Sequence, residues 1–148
     1  MDFVESKLVE LKETIVDDIK KEVIAFINSE GGNLYVGVAD DGHVIGLDDP
    51  QSDMLRLTNM IRDTIKPDAT MFVECQIEKI DTKDIVRVQV QKGTHAPYYL
   101  VGKGIRPEGV FVRQGTSSVP ASEDAIRRMI KESDGDCFET MRSLNQDL

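Results

Sequence analysis

The chain of 148 residues has little of what several classes of protein require. It holds two cysteines, Cys75 and Cys137, and two histidines, which is too few for a disulfide framework or for a zinc site of the usual ligand type. It has no run of about 18 apolar residues, so no transmembrane helix and no membrane partner are expected. The first five residues lack the basic and apolar regions of a secretory signal. These absences predict a cytoplasmic protein in a reducing setting.

Positive charge is also scarce, with 18 basic against 27 acidic side chains and a net charge of −9. The hydrophobic share of 40% and charged share of 30% are typical of one globular domain. A chain this acidic does not coat nucleic acid by bulk attraction. The charge is uneven, however, because residues 92–113 carry four basic residues and one acid (+3) and the remainder carries −12. We call residues 92–113 the basic segment.

The basic segment supports two interpretations. Its cations are Lys92, Lys103, Arg106 and Arg113, and it also holds Tyr98 and Tyr99. Basic side chains beside aromatic ones contact phosphates and stack on bases in nucleic-acid-binding proteins. In the alternative interpretation, the segment is an ordinary solvated loop whose tyrosines pack against the sheet.

Apolar spacing and helix-end signals predict about three helices. The first runs through Ile15 to Ile27 and stops at Gly31-Gly32, because glycine readily takes the left-handed conformation that ends helices. The second opens at Asp48-Asp49-Pro50 and ends at Lys66-Pro67. The third follows Ser122, a plausible N-cap.

Alternating or continuous apolar runs predict the strands, with a tight turn at Asp41-Gly42. They are expected at 7–13, 33–39, 44–47, 71–80, 85–91 and 110–113. The interleaving predicts a single α/β domain, built on a mixed, partly antiparallel sheet packed with the helices. We expect residues 1–131 to form this domain. Residues 132–148 are expected to be an acidic linker or the start of a missing C-terminal region.

Three carboxylates are candidates for chemistry: Glu5, Glu10 and Asp40. Glu5 and Glu10 are separated by an odd number of positions, so they converge only if the chain bends near Ser6. Asp40 ends a buried strand. Three convergent carboxylates hold Mg²⁺ or Mn²⁺ and activate water for phosphodiester cleavage. In the alternative interpretation they are unrelated surface acids among the 27 of the chain.

Two other catalytic signatures are missing from the sequence. It contains no G-x-x-x-x-G-K-S/T phosphate loop, which argues against an ATPase. It also contains no G-x-S-x-G turn of the kind that presents a nucleophilic serine.

An ordered set of motifs resembles the Schlafen AlbA-like domain over about residues 3–131. The motifs are Glu5-Ser6, Val9-Glu10-Leu11-Lys12, residues 25–32, residues 36–42 with Val44-Ile45-Gly46, Pro97-Tyr98-Tyr99 and residues 112–116. The resemblance implies an α/β domain that binds DNA or RNA, as at the N-terminus of bacterial transcriptional regulators. The expected nucleic-acid contacts are Lys12, Lys92, Tyr98, Lys103, Arg106 and Arg113.

The resemblance also implies alternatives to a pure binding module. Animal Schlafen proteins pair two such lobes around RNA, and some cleave transfer RNA with three carboxylates. By motif position these fall on Glu5, Glu10 and Asp40, with Mg²⁺ or Mn²⁺ as the implied metal and Ala39 departing from an often acidic position. A metal-dependent RNA endonuclease is therefore one alternative, with a homodimer supplying the second lobe. An oligomerisation or interaction domain of a larger protein is the other.

Overall fold

A mixed four-stranded sheet organises the domain in a computed structural model, which describes residues 3–133. From one edge to the other its strands are β1 (Val9–Lys12), β2 (Gly32–Val36), β5 (Lys83–Val90) and β4 (Val73–Ile80). The first pair is parallel and the other two pairs are antiparallel, which confirms the predicted mixed sheet. Cys137 and nearly all of the predicted linker lie outside the described residues.

Two helices cover one face of this sheet. They are α1 (Ile19–Asn28) and α2 (Pro50–Thr64). Asp49 caps α2 by accepting a hydrogen bond from the Ser52 N–H at 3.1 Å, with Pro50 in the first turn as predicted. A further helix, α3, covers residues 123–133 and begins as predicted, since Ser122 Oγ accepts from the Ala125 N–H at 3.1 Å.

Apolar side chains fill both sides of the central strands. The larger cluster lies between the sheet and the two helices, and its members include Phe26, Leu34, Val36, Leu57, Ile61, Val86 and Val88. A smaller cluster on the opposite face contains Phe3, Leu11, Val38 and Ile85. The sheet therefore has a covered face under α1 and α2, and an opposite face that Phe3 covers in part.

The short strand pairs complete the fold and frame the basic segment. β3 (Ile65–Lys66) pairs with β6 (Tyr99–Leu100), and β7 (Phe111–Gln114) pairs with β8 (Ser117–Pro120). The sequence pattern did not indicate β3, β6 or β8. Within the described residues, none of the helices combines the length and apolar character needed to cross a membrane.

The strands around Gly37 are shorter than predicted. β2 ends at Val36 because Gly37 takes a left-handed conformation (φ 104°), and its carbonyl accepts hydrogen bonds from the N–H groups of Ile45 and Gly46. Val38 and Val44 then form only an isolated bridge. The predicted return strand at 44–47 is therefore reduced to this single bridge, followed by irregular backbone.

Candidate nucleic-acid interface and buried carboxylate cluster

A sharp bend between Ser6 and Val9 brings two of the candidate carboxylates together. The N–H of each residue donates to the carbonyl of the other, at 3.0 and 3.3 Å. Past this bend Glu5 Oε2 accepts a hydrogen bond from the Leu11 N–H at 3.5 Å, and hydrogen bonding with Glu5 is among the causes that raise the pKa of Glu10. The structure therefore contains the bend near Ser6 that the sequence analysis required for their convergence.

Arg113 lies against Glu10 inside the protein. Its Nη1 donates to Glu10 Oε1 at 2.7 Å and to Ser118 Oγ at 3.0 Å. Its Nη2 donates to the carbonyl oxygens of Ser6 (2.8 Å) and Val9 (3.0 Å). The side chain is fully buried, with the guanidinium carbon 4.9 Å from the centre of the Phe26 ring.

This burial corrects the expectation that Arg113 contacts nucleic acid. β7 packs against α1, and this turns the Arg113 side chain inward onto β1. Its donors bond to protein acceptors, so its role in this structure is to join β7 to the segment that carries Glu5 and Glu10.

A third carboxylate, that of Glu22, completes the cluster. Glu22 Oε2 lies 3.6 Å from Lys12 Nζ and 4.0 Å from Arg113 Nη1, and Lys12 Nζ lies 3.9 Å from Glu10 Oε2. We did not single out Glu22 from the sequence. The signal was present, because Glu22 continues the spacing of Ile15, Ile19 and Phe26 along the apolar stripe of α1.

The buried surroundings hold the pKa of Glu10 at about 8, well above its usual value. Burial is the largest cause, followed by hydrogen bonding with Glu5 and Glu22, while the hydrogen bond from Arg113 acts in the opposite direction. These surroundings therefore favour the uncharged form of the Glu10 carboxyl group.

Asp40 stands apart from this cluster. It is exposed, and within the described residues its side chain makes no hydrogen bond or ion pair. Its neighbour Asp41 forms the turn instead, accepting from the backbone N–H of His43 at 3.1 Å and contacting His43 Nδ1 at 2.6 Å. These bonds hold the pKa of Asp41 below its ordinary value.

The described carboxylates do not fit a divalent cation in this arrangement. Between residues 3 and 133 no three His, Cys, Asp or Glu side chains are placed to hold a metal ion. Glu10 is already engaged by Arg113 and Lys12. We therefore derive no step that depends on Mg²⁺ or Mn²⁺.

Tyr98, another expected contact, is also buried. Its ring packs edge-on against Phe72, with the ring centroids 6.2 Å apart, and its hydroxyl oxygen accepts from the His95 N–H at 3.2 Å. Tyr98 therefore packs inside the domain, which corrects the expectation that its ring stacks on a base. A buried ring presents no face to a nucleic acid.

The Asn28 side chain bonds to the backbone of the basic segment at two points, Tyr98 and Phe111. Asn28 Nδ2 donates to the carbonyl oxygens of Tyr98 and Phe111, both at 3.0 Å, and its Oδ1 accepts from the Tyr98 N–H at 2.8 Å. These two partners lie 70 and 83 positions further along the chain than Asn28.

Between these anchors, residues 101–109 form a projecting loop that we call the basic loop. Lys103 and Arg106 are exposed on it, and neither has a carboxylate within 4.0 Å among residues 3–133. Lys92, at the start of the basic segment, is likewise exposed and unpaired within the described part. These three expected contacts are therefore available to solvent.

Helix α3 adds two cations that the sequence analysis did not single out, Arg128 and Lys131. Both are exposed and form no salt bridge within the described range. Ile126 and Met129 pack the helix against Tyr99 and Val110, which flank the basic loop. A cleft lined by Lys92, Met129 and Glu132, among others, places Lys92 beside the far end of α3.

We call Lys92, Lys103, Arg106, Arg128 and Lys131 the basic surface. From residue 92 to 133, these five of the seven basic residues have no carboxylate partner within the described chain. From residue 3 to 91, only three of ten, Lys7, Lys66 and Lys83, lack such a partner. Among residues 3–133, the first part of the chain holds most of its cations in internal ion pairs, whereas the second part leaves most of its cations without a carboxylate partner.

The fold and its motifs define an α/β domain, and comparison with known families identifies the family to which it belongs. The family model described as Schlafen, AlbA_2 matches residues 5–122, and the chain belongs to this family. None of the curated proteins compared with the chain matches it.

Two solved structures are similar to the chain. One is the N-terminal domain of a putative ATP-dependent DNA helicase RecG-related protein from Nitrosomonas europaea. It has 26% identity and a TM-score of 0.53, over 74% of this chain and 78% of that one. The other is the DIP2311 protein from Corynebacterium diphtheriae, at 20% identity and a TM-score of 0.58. That match covers 78% of this chain but 25% of the other, and it supports the fold alone.

Proposed function

We propose that this chain is a nucleic-acid-binding module whose basic surface contacts the phosphate backbone. The observation that carries the proposal is the concentration, on the basic loop and α3 of an otherwise acidic domain, of exposed cations that have no carboxylate partner among residues 3–133. Free lysine and arginine side chains gain affinity by releasing counterions from phosphates. The similar Nitrosomonas protein is described as related to a DNA helicase, which supports the same class of ligand.

Within a longer protein, we propose that such a module recruits its partner domains to DNA or RNA, as expected for a transcriptional regulator.

Acidic side chains on the face of the sheet opposite α1 and α2 favour an interface on the side of the basic loop. Glu74 and Glu78 lie on that face; Glu78 is paired with Arg87 at 3.0 Å, and the exposed Glu74 would repel a phosphate backbone. Nucleic acid is therefore expected on the side of the basic loop.

The test is fluorescence anisotropy with duplex DNA, single-stranded DNA and RNA of equal length. Binding is measured in KCl from about 50 to 200 mM, and we expect the logarithm of the affinity to fall linearly with that of the salt concentration. The double variant K103Q/R106Q should reduce the slope by about 2, because each neutralised phosphate contact removes about one released ion.

The matched control is K79Q/K83Q, which removes the same charge from the ends of β4 and β5 that flank their connecting turn. It should leave the slope unchanged. The proposal fails if the parent chain does not bind at low salt. It also fails if the control weakens binding as much as K103Q/R106Q does.

A metal-dependent ribonuclease using Glu5, Glu10 and Asp40 stays a prediction. The observation in its favour is the bend at Ser6, which brings Glu5 against Glu10. The test is incubation with transfer RNA in Mn²⁺ or Mg²⁺, beside the variants E5Q and D40N. Cleavage that is equal in parent and variants would exclude these carboxylates as its source.

The homodimer and the oligomerisation role also stay predictions. Sedimentation over a range of protein concentrations tests both. A strict monomer at the highest concentration would contradict them, whereas it would leave nucleic-acid binding by the basic surface intact.

A further inference from the structure

The basic loop exposes two aliphatic side chains beside its cations, Val101 at its base, where the Val101 N–H donates to the Thr64 carbonyl at 2.9 Å, and Ile105 further out. Val101 is 50% and Ile105 is 46% exposed, and neither belongs to an apolar cluster of the described domain. Lys103 lies between them in sequence and Arg106 follows directly. Single exposed aliphatic residues are ordinary, but two of them on one projecting loop with two free cations form a mixed contact surface.

The loop is held in this shape before any ligand binds. The Leu100 carbonyl accepts from the N–H groups of Lys103 and Gly104, both at 3.1 Å. The Arg106 carbonyl accepts from Gly109 (2.8 Å) and Val110 (2.9 Å). The Leu100 N–H donates to Gly109 at 2.9 Å and closes the base of the loop. Little ordering of this backbone is therefore needed on binding.

Two glycines show that the loop projects into solvent rather than onto the domain. Gly102 (φ 89°) and Gly104 (φ 77°) both have left-handed backbones, and a Cβ atom added to either would meet nothing within 4 Å. Glycine at these positions serves the turn itself, not a close contact with the protein. The side chains beside them are free to meet a ligand.

Aliphatic side chains flanked by cations suit one mode of DNA binding in particular. In that mode the cations contact phosphates while apolar side chains enter between neighbouring base pairs from the minor groove and partly unstack them. A rigid, projecting loop is suited to such insertion because its shape is maintained against the stacked bases. A surface that bound phosphates alone would gain nothing from Val101 and Ile105.

We infer that the basic loop inserts Val101 and Ile105 into the base stack of duplex DNA, with Lys103 and Arg106 on the adjoining phosphates. The inference rests on the proposed function and adds the class of ligand and the manner of contact. It assigns the aliphatic residues to unstacking and the cations to attachment, so the two roles separate in experiment.

The experiment uses an A·T-rich DNA duplex in which 2-aminopurine replaces adenine at successive positions. The fluorescence of this base rises when it is unstacked. We expect the parent chain to raise it on binding. The variant V101A/I105A should bind with an unchanged salt slope but lose most of the rise. The control L55A/M71A removes two exposed apolar side chains from elsewhere on the surface and should behave like the parent.

Each other outcome overturns a defined part of the proposal. Binding without a rise in fluorescence overturns the insertion but leaves the proposed function standing. A rise that survives in V101A/I105A overturns the role of these residues. Absence of DNA binding overturns both proposals. Vesicles of anionic phospholipid form a separate arm, and binding to them in place of DNA that V101A/I105A abolishes would overturn insertion into DNA.

Discussion

Glu10 and Arg113 are 103 positions apart in the chain, and their side chains meet at 2.7 Å inside the protein. Both residues belong to motifs by which the sequence resembles its family. Their contact joins edge strand β1 to β7, and Glu22 of α1 lies within 4.0 Å of the same guanidinium nitrogen. The motif residues thus form a buried polar junction between three elements that are distant in sequence.

Replacement of Arg113 by alanine should destabilise the domain severely. It removes the charged donor that bonds to Glu10 and, in addition to their own N–H partners, to the carbonyl oxygens of Ser6 and Val9, and each hydrogen bond to a charged group typically contributes about 1.5–3 kcal/mol. Arg113→Lys should recover little, because one ammonium group cannot replace the planar fork of donors. Urea unfolding followed by circular dichroism measures both changes. The control Arg128→Ala, at an exposed position on α3, should change the free energy of unfolding by less than about 0.5 kcal/mol. Equal stability of the two alanine variants would contradict the assigned role.

The protonation of Glu10 predicts how stability depends on pH. Its pKa in the folded chain, about 8, lies above the ordinary value of 4.5, so the folded state binds more protons than the unfolded state between these values. The stabilising contribution is fully present below about pH 4.5 and is lost as the pH rises through 8. The local slope reaches at most about 1.4 kcal/mol per pH unit.

The variant Glu10→Gln isolates this effect, because it keeps an acceptor for Arg113 but cannot titrate. The free energy of unfolding of the parent should fall relative to that of the variant from pH 5 to 8. Urea unfolding at several pH values measures the difference. Parallel pH profiles would show that Glu10 is already ionised across this range.

Asn28 should be nearly as important to stability as a core side chain. Asn28→Ala removes two donors and one acceptor from the backbone of Tyr98 and Phe111, at an expected cost of about 2–4 kcal/mol. Asn28→Asp keeps the acceptor for the Tyr98 N–H but loses both donors, so it should also be strongly destabilised. Hydrogen exchange at the Tyr98 amide reports the loss directly. An Asp variant as stable as the parent would contradict the clamp.

Gly42 and Gly115 form a matched pair for separating backbone strain from close packing. Both have positive φ (96° and 59°), but a Cβ atom at Gly42 would lie 2.1 Å from the Phe3 carbonyl oxygen, whereas Gly115 has nothing within 4 Å. Gly115→Ala should cost about 1–2 kcal/mol through conformation alone. Gly42→Ala should cost roughly 1–3 kcal/mol more through the added contact. Thermal unfolding compares them, and equal losses would mean that Phe3 moves aside freely.

Local sequence signals predicted much of this fold. Asp49, Pro50 and Ser122 marked the starts of α2 and α3, because capping depends on residues within one helical turn. The odd spacing of Glu5 and Glu10 indicated that a bend near Ser6 was needed for their convergence. The uneven distribution of charge also follows from the sequence, since it depends only on the order of residues.

Only the tertiary structure decided which charged and aromatic side chains face outward. Arginine and tyrosine are residue types that commonly contact nucleic acid, yet Arg113 and Tyr98 are buried because β7 and β6 pack onto α1. Glu22 enters the carboxylate cluster for the same reason. The sequence by itself determined where α2 and α3 start and where positive charge is concentrated, because these depend on neighbours along the chain, whereas α1, predicted from Ile15, begins only at Ile19. Whether a cation forms an ion pair with an internal carboxylate or stays exposed to an external phosphate depends on contacts between distant elements, and these contacts exist only after folding.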